Sequence, residues 1–121
     1  MLLKDLEVYK LTRELSKKVW EKYECMNWED KKIIGDQWIR AIDSISANIA
    51  EGFGRFHYLD KNKFNYNARG SLFESLDWTE KLFERKKITD KEYVLLMDKL
   101  KQCHKKLNSY IKMTKSQLNK N

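Results

Sequence analysis

The sequence predicts an all-α fold: one domain over residues 1–121, built as an antiparallel up-down four-helix bundle. Three observations carry this. Apolar residues recur at three- and four-residue spacing in four separate runs, and no alternating strand pattern of useful length interrupts them. The chain has no proline and only four glycines, with 36% charged and 41% hydrophobic residues, a composition that suits long helices with solvated faces. The links between runs are short, which favours antiparallel neighbours.

The first helix spans about 5–25 and repeats Val8, Leu11, Leu15, Val19 and Tyr23. Asn27, with Asp30 three residues on, marks the start of a second helix over about 28–55. Its apolar face is Trp38, Ile42, Ile45, Ile49, Phe53 and Phe56, and Gly52 and Gly54 weaken its end. Asp60 is the expected N-cap of a third helix over about 60–86, with Phe64, Ala68, Leu72, Leu76, Leu82 and Phe83. Thr89 and Glu92 have capping-box spacing and open a fourth helix over about 90–118. That helix lines up Tyr93, Leu96, Leu100, Cys103, Leu107, Tyr110, Ile111 and Leu118.

The second helix has three faces where an ordinary surface helix has two. Besides the apolar face, Ser46, Ala47, Ala50 and Gly54 form a face of small residues. Gln37, Arg40, Ser44, Asn48, Glu51 and Arg55 form a polar stripe within about 80°. The small face admits close approach of a neighbour, either the third helix at Gly70 or another subunit. An interior glycine costs ~1 kcal/mol against alanine, which close packing would offset. The polar stripe reads as a structural network in which Arg40, Ser44, Asn48, Glu51 and Arg55 meet Arg69, Ser71 and Glu74 of the third helix. A ligand site is the alternative.

Catalytic chemistry finds little support. The adjacent Cys103 and His104 diverge by about 100° on a helix, so they make no nucleophile–base pair. His57 and His104 lack a glutamate three residues earlier, so the paired Glu-x-x-His motifs of a di-iron bundle are missing. Gly52-Phe53-Gly54-Arg55 follows a helix and is too short for a phosphate-binding loop. The reading is a non-enzyme with no metal and no cofactor. Two widely spaced cysteines, an early acidic pair (Asp5, Glu7) and no long apolar run fit a cytoplasmic protein without a membrane segment.

Charge is the strongest functional signal. The formal net charge is +7. Residues 1–98 hold 18 Lys/Arg and 18 Asp/Glu, whereas residues 99–121 hold seven lysines and no acid. On a helix Lys101, Lys105, Lys112 and Lys115 fall within about 80°. Such a stripe can follow a phosphate backbone and release its counterions, with weak sequence specificity. The bland alternative is a solvated face that complements the helix dipole.

The motifs also resemble a family. Asp5-Leu6-Glu7-Val8-Tyr9, Gln37-Trp38-Ile39-Arg40-Ala41, Ser44-Ile45-Ser46-Ala47-Asn48-Ile49-Ala50-Glu51-Gly52, Gly54-Arg55 and Ala68-Arg69-Gly70-Ser71-Leu72-Phe73-Glu74 carry the resemblance, over roughly residues 3–115. The chain resembles bacterial four-helix bundle proteins related to those encoded in intervening sequences of large-subunit ribosomal RNA genes. It is also similar to the accessory proteins of diversity-generating retroelements. Ser46 stands where the family often has proline, and Asp43 where a small apolar residue is usual. The resemblance implies a ring-shaped homo-oligomer, typically a pentamer, and no known catalysis. The retroelement relatives bring RNA or DNA and a reverse transcriptase into view as partners. Two functions follow: a homo-oligomeric bundle binding nucleic acid or a nucleic-acid enzyme through basic surfaces, or a protein-interaction scaffold with no nucleic-acid role.

Overall fold

The computed structural model describes residues 1–119, so Lys120, counted in the basic tail above, lies outside them. A 3-10 turn at Leu3–Asp5 leads into helix α1, Glu7–Glu24. Helix α2 opens with a short turn, Trp28–Asp30, passes through a π-helical turn, Lys31–Gly35, and continues as Asp36–Phe53. Helix α3 is Tyr58–Glu84 and helix α4 is Asp90–Asn119.

The helix starts follow local chemistry. The Asn27 side chain accepts from the Asp30 backbone N–H at 2.8 Å, capping α2 as its spacing predicts. The capping box at α4 is complete: Glu92 N–H donates to the Thr89 hydroxyl at 3.1 Å, and Thr89 N–H to the Glu92 carboxylate at 2.8 Å. Helix α3 begins earlier than expected. His57 is its N-cap and Asp60 falls in the first turn, where its charge complements the helix dipole without capping. At the other end of α3, Lys86 takes φ 59°, the left-handed cap position usually given to glycine. Lys87 N–H reaches back to the Leu82 carbonyl at 2.8 Å and Lys86 N–H to Phe83 at 3.0 Å, a Schellman pattern.

Cross-helix pairs fix the topology. Tyr23 of α1 donates to Asp36 of α2. Trp38 Nε1 of α2 donates to Thr79 Oγ1 of α3 at 3.1 Å, while Lys61 Nζ of α3 reaches the Phe53 carbonyl at 3.0 Å. Asn62 and Arg69 of α3 bond to Ile111 and Asn108 of α4. Lys22 and Glu7 of α1 pair with Glu92 and Lys106 of α4. In every pair of helices early residues meet late ones, so all four neighbouring contacts are antiparallel. Each helix packs mainly on two others, which closes a four-helix bundle.

The core lies on the expected faces. Trp38, Ile42, Ile45 and Ile49 are fully buried with Leu15, Val19, Leu72, Leu82, Leu100 and Leu107. Each such side chain contributes about 1.5–3 kcal/mol by leaving water. Phe56 departs from this pattern: α2 stops at Phe53, so Phe56 lies outside the helix and is 88% exposed.

The close approach is at Gly52. A Cβ there would stand 2.8 Å from the Lys61 carbonyl oxygen and 3.0 Å from Phe64 Cβ. A Cβ on Gly70 would meet nothing within 4 Å, because Gly70 lies on the exposed side of α3. The expectation that Gly70 admits the small face of α2 is therefore corrected. Ser46, Ala47 and Ala50 of that face look instead toward α1. With Tyr9, Arg13, Ser16 and Trp20 they line an open groove of about 710 Å³.

Candidate nucleic-acid interface

Helix α4 presents its lysines as the sequence predicts. Lys101, Lys105, Lys112 and Lys115 are all exposed, and none takes part in an ion pair among the described residues. They spread over 14 residues, roughly 21 Å of helix. Lys106 is turned toward α1 and lies 3.8 Å from Glu7, so it belongs to a different side of the helix.

What the sequence did not reveal is the surface beside the stripe. Residues 101, 104, 108, 112 and 115 follow one another at three- and four-residue steps and make one row on α4. His104 and Asn108 in that row meet α3 directly. Arg69 Nη1 donates to Asn108 Oδ1 at 3.1 Å, and Asn108 Nδ2 lies 3.1 Å from His104 Nε2. The Phe73 ring meets the His104 ring edge-on at 5.1 Å. The Arg69 guanidinium also sits over the Tyr66 ring, 5.1 Å from its centroid. Tyr66 is 38% and Phe73 52% exposed. Lys63 is exposed one turn before Tyr66. The lysine row of α4 thus borders an α3 edge that alternates cations and aromatic rings. The signal in the sequence was faint: Tyr66 and Phe73 lie seven residues apart, off the apolar stripe, with Arg69 between them.

The eight residues read as one network separate into parts. Glu51 pairs with Arg55 at 2.7 Å, one turn away on the same helix, with both side chains largely in solvent. Asn48 Nδ2 donates to the Ser44 carbonyl of its own helix at 2.9 Å. Arg40 and Glu74 are exposed, and Ser71 offers its carbonyl to Ser75 within α3. Arg69 hydrogen-bonds to α4 rather than α2, and Arg55 reaches α3 only by lying over the Phe64 ring, 4.7 Å from its centroid. Gln37, Arg40 and Glu51 of the α2 stripe are exposed and Ser44 and Asn48 half-buried, so between Gln37 and Glu51 the stripe makes no side-chain hydrogen bond or ion pair to α3 among the described residues.

The remaining reactive groups are placed for structure. Cys103 is buried and its thiol is pushed up to about 11 by desolvation, so it stays protonated and packs as a core residue. Hydrogen bonds from Tyr23 and Tyr93 to Asp36 and Glu80 raise both phenols above their ordinary value. Among the described residues no group of three or more His, Cys, Asp or Glu side chains is arranged to hold a metal, and no helix is long and apolar enough to cross a membrane.

An up-down bundle with one basic helix edge defines a class of small helical proteins. Within that class the chain belongs to the family described as 23S rRNA-intervening sequence protein, which matches residues 4–109. A solved structure shares the fold: the crystal structure at 1.70 Å of a protein with unknown function from the S23 ribosomal protein family of Bacteroides thetaiotaomicron VPI-5482. The two are 26% identical with a TM-score of 0.83, over 90% of this chain and 98% of that one. No curated protein matches the chain.

Proposed function

We propose that this protein is a non-enzymatic, ring-forming bundle that binds nucleic acid through the α3–α4 edge, with weak sequence specificity. The single observation that carries the reading is the row Lys101, Lys105, Lys112 and Lys115, exposed and free of acidic partners among the described residues. A phosphate backbone is the partner such a row fits, and the gain comes from released counterions. A homopentameric ring would repeat the row five times, so weak contacts would add through effective concentration. The groove of small residues between α1 and α2 supplies surface for such assembly. A reverse transcriptase bound to its nucleic acid is a further partner compatible with the same edge.

The test is an electrophoretic shift with generic RNA and DNA over a salt series. Affinity should fall steeply with salt, with a log–log slope of roughly −0.9 for each phosphate neutralised on duplex DNA. Changing Lys101, Lys105, Lys112 and Lys115 to glutamine should remove most of the binding. Undiminished binding by that variant refutes the assignment. Light scattering tests the ring separately.

A second reading, a protein-interaction scaffold without nucleic acid, draws on Val94 and Leu95. They are 66% and 46% exposed near the start of α4, where they share a shallow hollow with Asp90, Lys91 and Asp98. Absent binding to either nucleic acid, together with a ring in solution, would favour it.

A further inference from the structure

The lysine row ends at a cleft. Where the first turns of α3 meet the last turns of α4, Tyr58, Leu59, Lys63 and Tyr66 face Lys115 and Leu118 across about 340 Å³. The remaining lining residues are Asn62 and Thr114, so the walls hold two phenol rings, two aliphatic side chains and two ammonium groups, with no carboxylate. Leu59 is 69% exposed and Leu118 38%. Beyond it, Phe56 and His57 form a second exposed aromatic pair, their rings edge to face at 5.1 Å, and Asp60 is the one acid of that adjoining hollow.

We propose that this cleft receives unpaired bases of a single-stranded polynucleotide whose backbone runs along the α4 lysines. The inference rests on the nucleic-acid reading above and narrows it to strands with free bases. Lys115 belongs both to the row and to the cleft wall, so a strand following the row arrives at the cleft without a break. The volume falls in the range of small-molecule sites, enough for a base with part of its sugar. The apolar walls and rings offer faces on which any base can stack, and that contact is indifferent to sequence. In a duplex the base faces are already stacked on one another, so the cleft has nothing to take. An acidic peptide would satisfy the two ammonium groups but leave the rings without a matching plane.

The experiment uses the full chain and fluorescence anisotropy. The probes are a labelled oligothymidylate, a labelled oligouridylate and a mixed-sequence duplex of equal length. The wild-type protein should bind both single strands more tightly than the duplex. Replacing both rings (Tyr58→Leu with Tyr66→Leu) should weaken single-strand binding about tenfold or more, in line with the loss of base–aromatic stacking. Duplex binding, which depends on the lysines, should fall by a much smaller factor. Circular dichroism and urea unfolding check that the variant folds. A second readout does not depend on any variant: 2-aminopurine placed in the oligothymidylate should change its fluorescence on binding.

Equal loss for single strands and duplex, or a silent 2-aminopurine at saturation, overturns the inference. If single strands and duplex bind the wild type alike and only the lysine-to-glutamine variant loses them, the cleft assignment fails while the basic edge stands. If neither nucleic acid binds at all, the broader reading fails and this one with it. A changed particle size in light scattering for the tyrosine variant, with binding unchanged, makes the cleft a contact between copies and also overturns the inference.

Discussion

Two glycines in this chain should respond to the same substitution with opposite signs. Helix propensity alone favours alanine over glycine by about 1 kcal/mol inside α3 at Gly70, and by no more than that at Gly52 in the last turn of α2. At Gly70 nothing opposes that gain, since a new Cβ meets no atom within 4 Å. At Gly52 the new methyl would press on the Lys61 carbonyl oxygen at 2.8 Å and on Phe64 Cβ at 3.0 Å. The obstacle is backbone, held in the first turn of α3, and the Lys61 ammonium pins that turn to the Phe53 carbonyl of α2. Overpacking of this kind costs about 1–3 kcal/mol, which exceeds the propensity gain over most of its range. Gly52→Ala should therefore destabilise by about 1 kcal/mol net, and Gly70→Ala should stabilise by a similar amount. For a chain of this length 1 kcal/mol corresponds to about 4 °C in Tm. Urea unfolding at one fixed protein concentration, with m-values compared, measures both. Shifts of the same sign would refute the claim that the α2–α3 closest approach is at Gly52.

Three further outcomes are expected. Lys86→Gly should stabilise by about 1 kcal/mol in thermal or urea unfolding, because the left-handed cap then carries no Cβ penalty. Glu51→Ala should change stability by no more than about 0.5 kcal/mol, since the pair with Arg55 is an exposed one-turn contact; a loss of several times that size would show a buried network. Glu92 governs part of the acid response. Burial raises its pKa, but the Thr89 backbone N–H and Lys22 outweigh this and hold the carboxyl below its ordinary 4.5. A depressed folded value means full stability above about 4.5 and a loss as pH falls through the folded value. Wild type should thus lose more stability than Glu92→Gln between pH 7 and pH 3, as read from urea midpoints, and parallel losses would remove Glu92 from the account.

Much of the architecture was legible because it is written locally. Asn27, Thr89 and Glu92 are helix starts whose chemistry is complete within four residues, and the structure uses all three. The apolar repeats of α1, α2 and α4 likewise name their own core faces. The π turn at Lys31–Gly35 was not legible, since one extra residue shifts the hydrophobic repeat too little to be seen in a short run. Asp60 misled because aspartate suits both a cap and a first turn. The polar stripe of α2 misled for a related reason. Arg40, Asn48 and Glu51 have the same spacing whether they meet a neighbour or water, and only the rotation of α2 in the bundle decides. The candidate site divides along the same line. An acid-free run of lysines can be counted on one helix. The cluster of Tyr66, Arg69, Phe73, His104 and Asn108 needs two helices set side by side in register, and no single stretch of sequence contains that fact.

The uneven placement of charge has a consequence before any contact forms. Residues 1–98 balance 18 bases against 18 acids, and of the seven excess lysines that follow, six lie on α4 from Lys99 onward. That helix has 30 residues, about 45 Å from end to end, so the molecule carries a permanent electric dipole. In the field of any anionic body it turns before it touches. At physiological ionic strength the field survives over only about 8 Å, so the turning belongs to the last step of approach. Encounters with a polyanion should accordingly begin at one corner of the molecule, whichever way it was tumbling when they met.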